Sequence, residues 1–376
     1  MGRMASTLMR GLVARGHDVV PLDGRPNPTA EALAGRPCAV LPPRLPWAKT
    51  ALWHWDLLRR IPALGVPHDV LLNPTGYPTV RGSHPALAFY VHDLHMLQRD
   101  AARPWKRRWF ALGLGAALRR ARVVMCPSAA TSAQVRERWA LADDRCVVVP
   151  NAIDRVFPDR VPEGPRDAAP YFLFVGTLEP RKNLHRLLEA FARCRQAGIT
   201  ERLILAGRPG AAAEALRRRM TAPDLAQAVE LRTGVDDHEL AALYAGATAL
   251  LFPSLDEGFG LPVVEAMQLG LPVLTSDVGA LREVAGDAAL LVDPRDLGAL
   301  ASGIAKLAND RALRQAMITR GSERALAFTP ARQAEACEQA LERLLDQPRG
   351  RRSSQPAHAT GSRPGSLPVR STSACR

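Results

Sequence analysis

Cysteine is sparse and scattered in this chain: six among 376 residues, at Cys38, Cys126, Cys146, Cys194, Cys337 and Cys375, with no Cys-x-x-Cys pair. That spacing excludes a disulfide framework and a cysteine zinc site, and leaves reduced thiols. Lysine is scarcer still. Only Lys49, Lys106, Lys182 and Lys306 stand among 50 basic residues, an arginine bias typical of a GC-rich genome. No apolar run reaches the roughly 18 residues of a membrane span, and no signal peptide opens the chain. A cytoplasmic protein, either soluble or lying on a membrane, is expected. No Asp-x-Asp cluster follows a strand and no paired carboxylates converge, so neither metal-assisted nor two-carboxylate chemistry is expected.

What is present is positive charge and a regular pattern. The formal net charge is +13, and Pro348 to Arg376 contributes six arginines and no acid. That Pro-, Ser- and Gly-rich tail (348–376) cannot bury enough apolar surface to offset its ordering entropy, and disorder is expected. Hydrophobic residues make up 47% of the chain, enough for each of two domains to bury a core.

From Tyr171 onward, short β-branched and aromatic runs alternate with helical spacing. Strands are expected at Tyr171–Gly176, Leu203–Ala206, Val229–Leu231, Ala247–Pro253, Val273–Thr275 and Ala289–Val292. Asn183 is placed to cap the helix carrying Leu184, Leu187, Leu188 and Phe191. The first half follows the same logic, with strands expected at Asp18–Leu22, Asp69–Leu72, Ala86–Val91, Arg122–Cys126 and Cys146–Val149. Five prolines between Pro150 and Pro170 mark a linker. The fold class read from this is α/β: two doubly wound, Rossmann-like parallel sheets facing a central cleft. Residues 1–150 form the first domain, 151–170 the linker, 171–330 the second domain and 331–347 a closing helix. The chain opens in a helix, with Gly2-Arg3 standing where the first strand's glycine turn should be. The true start is therefore expected upstream.

Two segments of the second half carry chemistry. In Glu257-Gly258-Phe259-Gly260-Leu261-Pro262-Val263-Val264-Glu265, a loop at a carboxyl strand end leads into a helix. The glycines admit close backbone approach, and the helix start offers N–H groups to an anion. Glu265, read into the helix's first turn, can bind a ribose diol, and Glu257 can reach hydroxyls of a transferred sugar. In Gly176-Thr177-Leu178-Glu179-Pro180-Arg181-Lys182-Asn183, two cations stand before a helix N-terminus, which suits a diphosphate. Either glutamate alone reads equally as a helix-dipole or solvated acid, and either cation as a surface charge. Their combination is what points to a site.

These segments resemble the retaining GT-B glycosyltransferases of family 4. Glu257 to Glu265 is similar to the family's E-x7-E signature, and Gly176 to Asn183 to its donor-phosphate loop. The text around Val235, Glu239–Tyr244 and Gly286–Pro294 agrees. The resemblance implies that Arg181 and Lys182 bind a donor diphosphate, Glu265 the ribose and Glu257 the hexose. Gly2, Thr177, Val235, Gly258, Phe259, Gly260 and Leu261 would complete the donor site. His92, in His92-Asp93 at a strand end, looks like the histidine beside the reacting sugar. By the same resemblance transfer is metal-independent, retains configuration and needs no cofactor beyond a nucleotide-sugar donor. GDP-mannose is the first donor to test, with a lipid-linked or glycan acceptor. The sequence departs from the family where an arginine stands at the position of Thr177 in some relatives, and in the incomplete glycine turn at Gly2.

Arg99–Arg122 adds a possible membrane surface, since eight basic residues and one acid are interleaved with Trp105, Trp109, Phe110, Leu112 and Leu114. The same charge prompts a nucleic-acid reading, which lacks stacking motifs or a reading helix. A nicotinamide-dependent oxidoreductase is excluded because Gly113-Leu114-Gly115 follows no strand. A GT-B epimerase or a catalytically silent sugar-nucleotide binder remains open.

Overall fold

Runs of branched and aromatic residues build two parallel sheets in a computed structural model describing residues 3–23, 27–41, 57–79, 81, 82, 84–98, 103–153 and 170–346. A two-residue pair, β1 (Leu22–Asp23) and β2 (Ala39–Val40), stands apart. The first-half sheet has the order β3 (Leu71–Asn73), β4 (Leu87–Tyr90), β5 (Val123–Cys126) and β6 (Cys146–Val148). The second-half strands are β7 (Tyr171–Val175), β8 (Arg202–Ala206), β9 (Val229–Arg232), β10 (Ala249–Phe252), β11 (Val273–Ser276) and β12 (Leu290–Val292). They are ordered β12-β11-β10-β7-β8-β9, and every pairing is parallel. This is the GT-B architecture of two Rossmann-like sheets.

Helices cover the faces, so β4, β5, β10 and β11 are buried along their whole length. Phe172, Phe174 and Phe252 are fully buried, with the rings of Phe174 and Phe252 stacked 5.9 Å apart. Each such phenyl contributes roughly 1.5–3 kcal/mol by leaving water. The strand order matters for function. Chain direction across the second sheet reverses between β7 and β10, and ligands of open α/β sheets sit outside the carboxyl ends at that reversal. β7 leads into Gly176–Asn183 and β10 into Ser254–Glu257, so the topology brings the two motifs together.

The expected strand Asp18–Leu22 is the main departure, because only Leu22–Asp23 is extended. Asp18 instead pairs with Arg36 at the surface, and residues 17–21 take no regular structure. Helix Pro330–Asp346 follows the second-half sequence but belongs to the first-half core. Its Cys337, Ala340 and Leu344 pack with Leu8, Leu12, Tyr90 and Met125, and Arg15 Nε donates to Glu338 at 2.7 Å. The chain thus crosses between halves twice, near Ile153 and near Phe328, where the Ile153 N–H donates to the Phe328 carbonyl at 3.2 Å. Gly113 and Gly115 lie inside helix Pro104–Arg120, where Gly115 gives Trp139 close approach. Gly2, Arg99, most of the expected linker (154–169) and the tail lie outside the described residues.

Candidate active site

The turn after β7 presents its cations because Asn183 adopts a left-handed backbone, φ 60°. Asn183 stands at the N-cap position as expected, but its side chain does not cap. Its Nδ2 donates to the carbonyls of Pro253 (3.1 Å) and Pro294 (2.7 Å), tying the β7 loop to the loops after β10 and β12. With that turn pinned, Arg181 and Lys182 face the β10 loop. Arg181 Nη1 donates to Glu257 Oε2 at 2.9 Å, and Lys182 Nζ donates to Glu257 Oε1 at 2.5 Å. Arg181 Nε also meets Glu179 at 2.8 Å.

Lys182 is almost entirely buried, its ammonium 4.7 Å over the Phe252 ring. Burial pushes that ammonium down, while Glu257 holds it up. A buried lysine is stable only with such partners. Two cations therefore converge on one nearly buried carboxylate at the sheet's reversal point, a place able to take a diphosphate and a polar sugar.

Glu265 is the fifth residue of helix Leu261–Gln268, beyond the first turn expected from the sequence. The dipole therefore does little for it. Its carboxylate is oriented by Tyr244, whose buried hydroxyl donates to Oε2 at 2.8 Å. Gly260, the N-cap, has φ 108°, which a side chain would strain. Phe259 is buried edge-on to Phe328, 5.4 Å away, so only its backbone can serve a ligand. Val235 and Leu261 pack against the second-half core, and Thr177 is half-buried with its carbonyl accepting from the Glu179 N–H at 2.8 Å.

The first half closes over this loop. A Cβ on Gly258 would lie 2.1 Å from the His92 carbonyl oxygen, so glycine is required there. His92, at the end of β4 as expected, has a ring tilted on Tyr90 at 4.8 Å, with Nε2 2.8 Å from the Pro74 carbonyl. Burial lowers its pKa, so it is neutral at pH 7, and Nε2 carries the donated proton.

Sequence reasoning missed a second cluster. His95 Nδ1 lies 3.4 Å from Asp93, and Nε2 lies 3.4 Å from Asp256 of the other half, to which Gln98 also donates. Burial would lower His95, but the facing carboxylates of Asp256 and Asp93 outweigh it and lift it to about 9. Burial would raise Asp93, but His95 overrides it and holds it at about 2. A pKa raised from 6.5 means the stabilisation is complete below pH 6.5 and is lost as pH rises through about 9. The thermal midpoint should therefore fall over that window in the wild type, and the fall should be absent in His95→Gln. Equal alkaline profiles would remove the pair's role. Tyr244, Asp256, Ser128 and Thr131 were also missed, since each is ordinary in sequence and meets its partner only through the fold.

Two family profiles match consecutive stretches of the chain, together residues 1–324. That of the glycosyltransferase family 4 covers residues 1–157, and that of the glycosyl transferases group 1 covers residues 157–324. Among curated proteins, the chain is 30% identical over 251 residues to O-antigen chain mannosyltransferase B of Escherichia coli, covering 63% of this chain and 65% of that one. It is 32% identical over 260 residues to an MMP alpha-(1->4)-mannosyltransferase of Mycolicibacterium hassiacum, covering 64% and 61%. The matched region thus spans less than two thirds of either relative. A sucrose-phosphate synthase structure from Thermosynechococcus elongatus superposes with a TM-score of 0.69 at 23% identity, covering 90% of this chain and 91% of that one.

Proposed function

We propose that this chain, which belongs to the family 4, group 1 glycosyltransferases of GT-B fold, is a hexosyltransferase taking its sugar from a nucleotide-diphosphate donor. The observation that carries the reading is the meeting of Arg181, Lys182 and Glu257 at the reversal point, one loop from Glu265. We assign residues 1–150 to the acceptor side and 171–330 to the donor. Arg181 and Lys182 hold the diphosphate and stabilise charge growing on it as the glycosidic bond breaks. They supply the positive charge that a divalent ion gives elsewhere, so transfer is metal-independent. Glu257 holds the hexose, Glu265 the ribose diol, and neutral His92 lies beside the reacting carbon. The acceptor hydroxyl attacks from the face the diphosphate leaves, retaining configuration. Mannose from GDP-mannose, moved to a lipid-linked or glycan acceptor, is the specific form favoured by the mannosyltransferase relatives. The buried Glu257–Lys182–Arg181 cluster favours catalysis over a silent binder.

Glu265 gives the first test. Losing a charge-assisted hydrogen bond costs about 1.5–3 kcal/mol, so Glu265→Ala should weaken nucleotide diphosphate binding roughly ten- to a hundredfold. Tyr244→Phe, which removes one hydrogen bond that orients the carboxylate, should weaken it about threefold to tenfold. Calorimetry with the free diphosphate reads both, and unchanged affinity in Glu265→Ala would remove the ribose assignment.

No described helix is long and apolar enough to cross a membrane. Helix Pro104–Arg120 instead exposes Trp105 (63%) and Leu112 (72%) between its basic residues. We assign it a peripheral role on anionic lipid, which would place the enzyme on the inner face of the cytoplasmic membrane. Flotation with phosphatidylglycerol vesicles at low salt should carry the protein, and Trp105→Glu/Leu112→Glu should abolish it. Wild-type protein left at the bottom of the gradient would end that assignment.

A further inference from the structure

Helix Ala129–Trp139 of the first half begins directly against the donor loop of the second. Ser128 Oγ donates to the Gly258 carbonyl at 2.9 Å, and Thr131 Oγ1 donates to the same oxygen at 3.1 Å. Both side chains are buried. Ser128 also accepts from the Thr131 N–H at 3.1 Å, so one hydroxyl caps its own helix while its proton crosses the cleft. One step along, the N–H groups of Ala129 and Ala130 donate to Glu283 Oε1 and Oε2 at 2.9 and 3.2 Å. Glu283 lies on second-half helix Gly279–Ala285. A negative side chain at a helix start adds the helix dipole to those bonds.

These contacts do more than hold two surfaces together. A peptide unit is planar and trans, so the Gly258 carbonyl and the Phe259 N–H point opposite ways. Anchoring the carbonyl to the first half turns that N–H away from it, in the loop that carries Glu257. No side chain at residue 258 could replace the anchor, because the His92 carbonyl occupies its space. Opening the cleft breaks all four bonds at once and frees the peptide to rotate.

We infer that Ser128 and Thr131, with Glu283, are positioning residues that couple closure of the two halves to the geometry of the donor loop. The inference rests on the donor-site reading for its effect on catalysis, although the latch itself does not. Donor assembly and acceptor access are thereby linked, since the loop takes its working shape only with the halves closed. The residues act through the Gly258 peptide and touch no reacting atom.

Thr131→Val/Glu283→Gln removes one hydroxyl and one carboxylate while leaving the Ser128 cap intact. Two measurements read it: electron–electron distances between site-specific labels at Gln134 and Glu214, and steady-state kinetics. With nucleotide diphosphate bound, wild type should give one distance population, and the double variant should add a longer one. Turnover should fall about tenfold while diphosphate affinity changes less than twofold, because the ribose and phosphate contacts lie within the second half. Thr131→Ser, which keeps the hydroxyl and leaves Glu283 intact, should match wild type in both. Glu283→Gln alone provides the same reading should the double variant be unstable. An unchanged distance distribution, or affinity and turnover falling together, would overturn the latch. If wild type turned over no nucleotide sugar, the donor reading would fail, and the distances would still decide the latch.

Discussion

Glu257→Ala should abolish sugar transfer while preserving, or tightening by severalfold, the binding of free nucleotide diphosphate. The sequence alone implies only that a sugar contact is lost. The structure adds that Glu257 is the carboxylate shared by Arg181 and Lys182. Removing it leaves the buried Lys182 ammonium without its anion, which costs about 3–5 kcal/mol of apo stability when no other group compensates. Lys182, already lowered by burial, offsets part of this by losing its proton. A diphosphate arriving in the variant no longer competes with Glu257 for Arg181 and Lys182, although Glu179 still holds Arg181, so part of the lost stability returns as binding energy. The apo thermal midpoint should drop, and nucleotide diphosphate should raise it more than in the wild type. Turnover should fall at least a hundredfold, because the hexose loses its anchor at the reacting centre. If the diphosphate instead binds a hundredfold more weakly, Glu257 serves the nucleotide and the sugar assignment is wrong.

Lys182→Met should also lose turnover, but it should weaken diphosphate binding rather than spare it. Methionine keeps the stem's packing over Phe252 and deletes the charge. Charge on the diphosphate grows as the bond to the sugar breaks, so the ammonium does more for the transition state than for the bound donor. Removing one such electrostatic contact costs about 10²–10³ in turnover. Affinity for the donor should fall only about tenfold, and Arg181→Met should follow the same pattern. Turnover and the Michaelis constant measured together separate the cases: a large rise in the constant with turnover intact would make Lys182 a binding group only.

The second half was legible in the sequence because its central strands are buried on both faces. Such strands read as unbroken apolar runs, and Phe172–Val175 and Ala249–Phe252 fall where expected. The E-x7-E and Arg-Lys segments were legible because glycines and charges at strand ends have few structural reasons to be there. What stayed hidden was long-range pairing. Tyr244 reads as one more helical apolar residue, yet its hydroxyl orients Glu265. Asn183 reads as a helix cap, yet its amide ties three loops. His95 sits two residues from Asp93, but its second carboxylate, Asp256, comes from the other half of the chain, so the cluster carries no complete local signal. Asp18–Leu22 failed as a strand because a short apolar run near a charged surface pair is extended only when a neighbour pairs with it.

The central claim is that this cleft transfers a hexose from a nucleotide-diphosphate donor through Glu257. Release of nucleotide diphosphate from a panel of nucleotide sugars, by wild type and by Glu257→Ala side by side, tests it most directly. Wild type should release diphosphate from at least one donor, GDP-mannose first, and Glu257→Ala should release none while still binding the free diphosphate. A wild type inert toward every donor, or a variant as active as the wild type, would contradict the account.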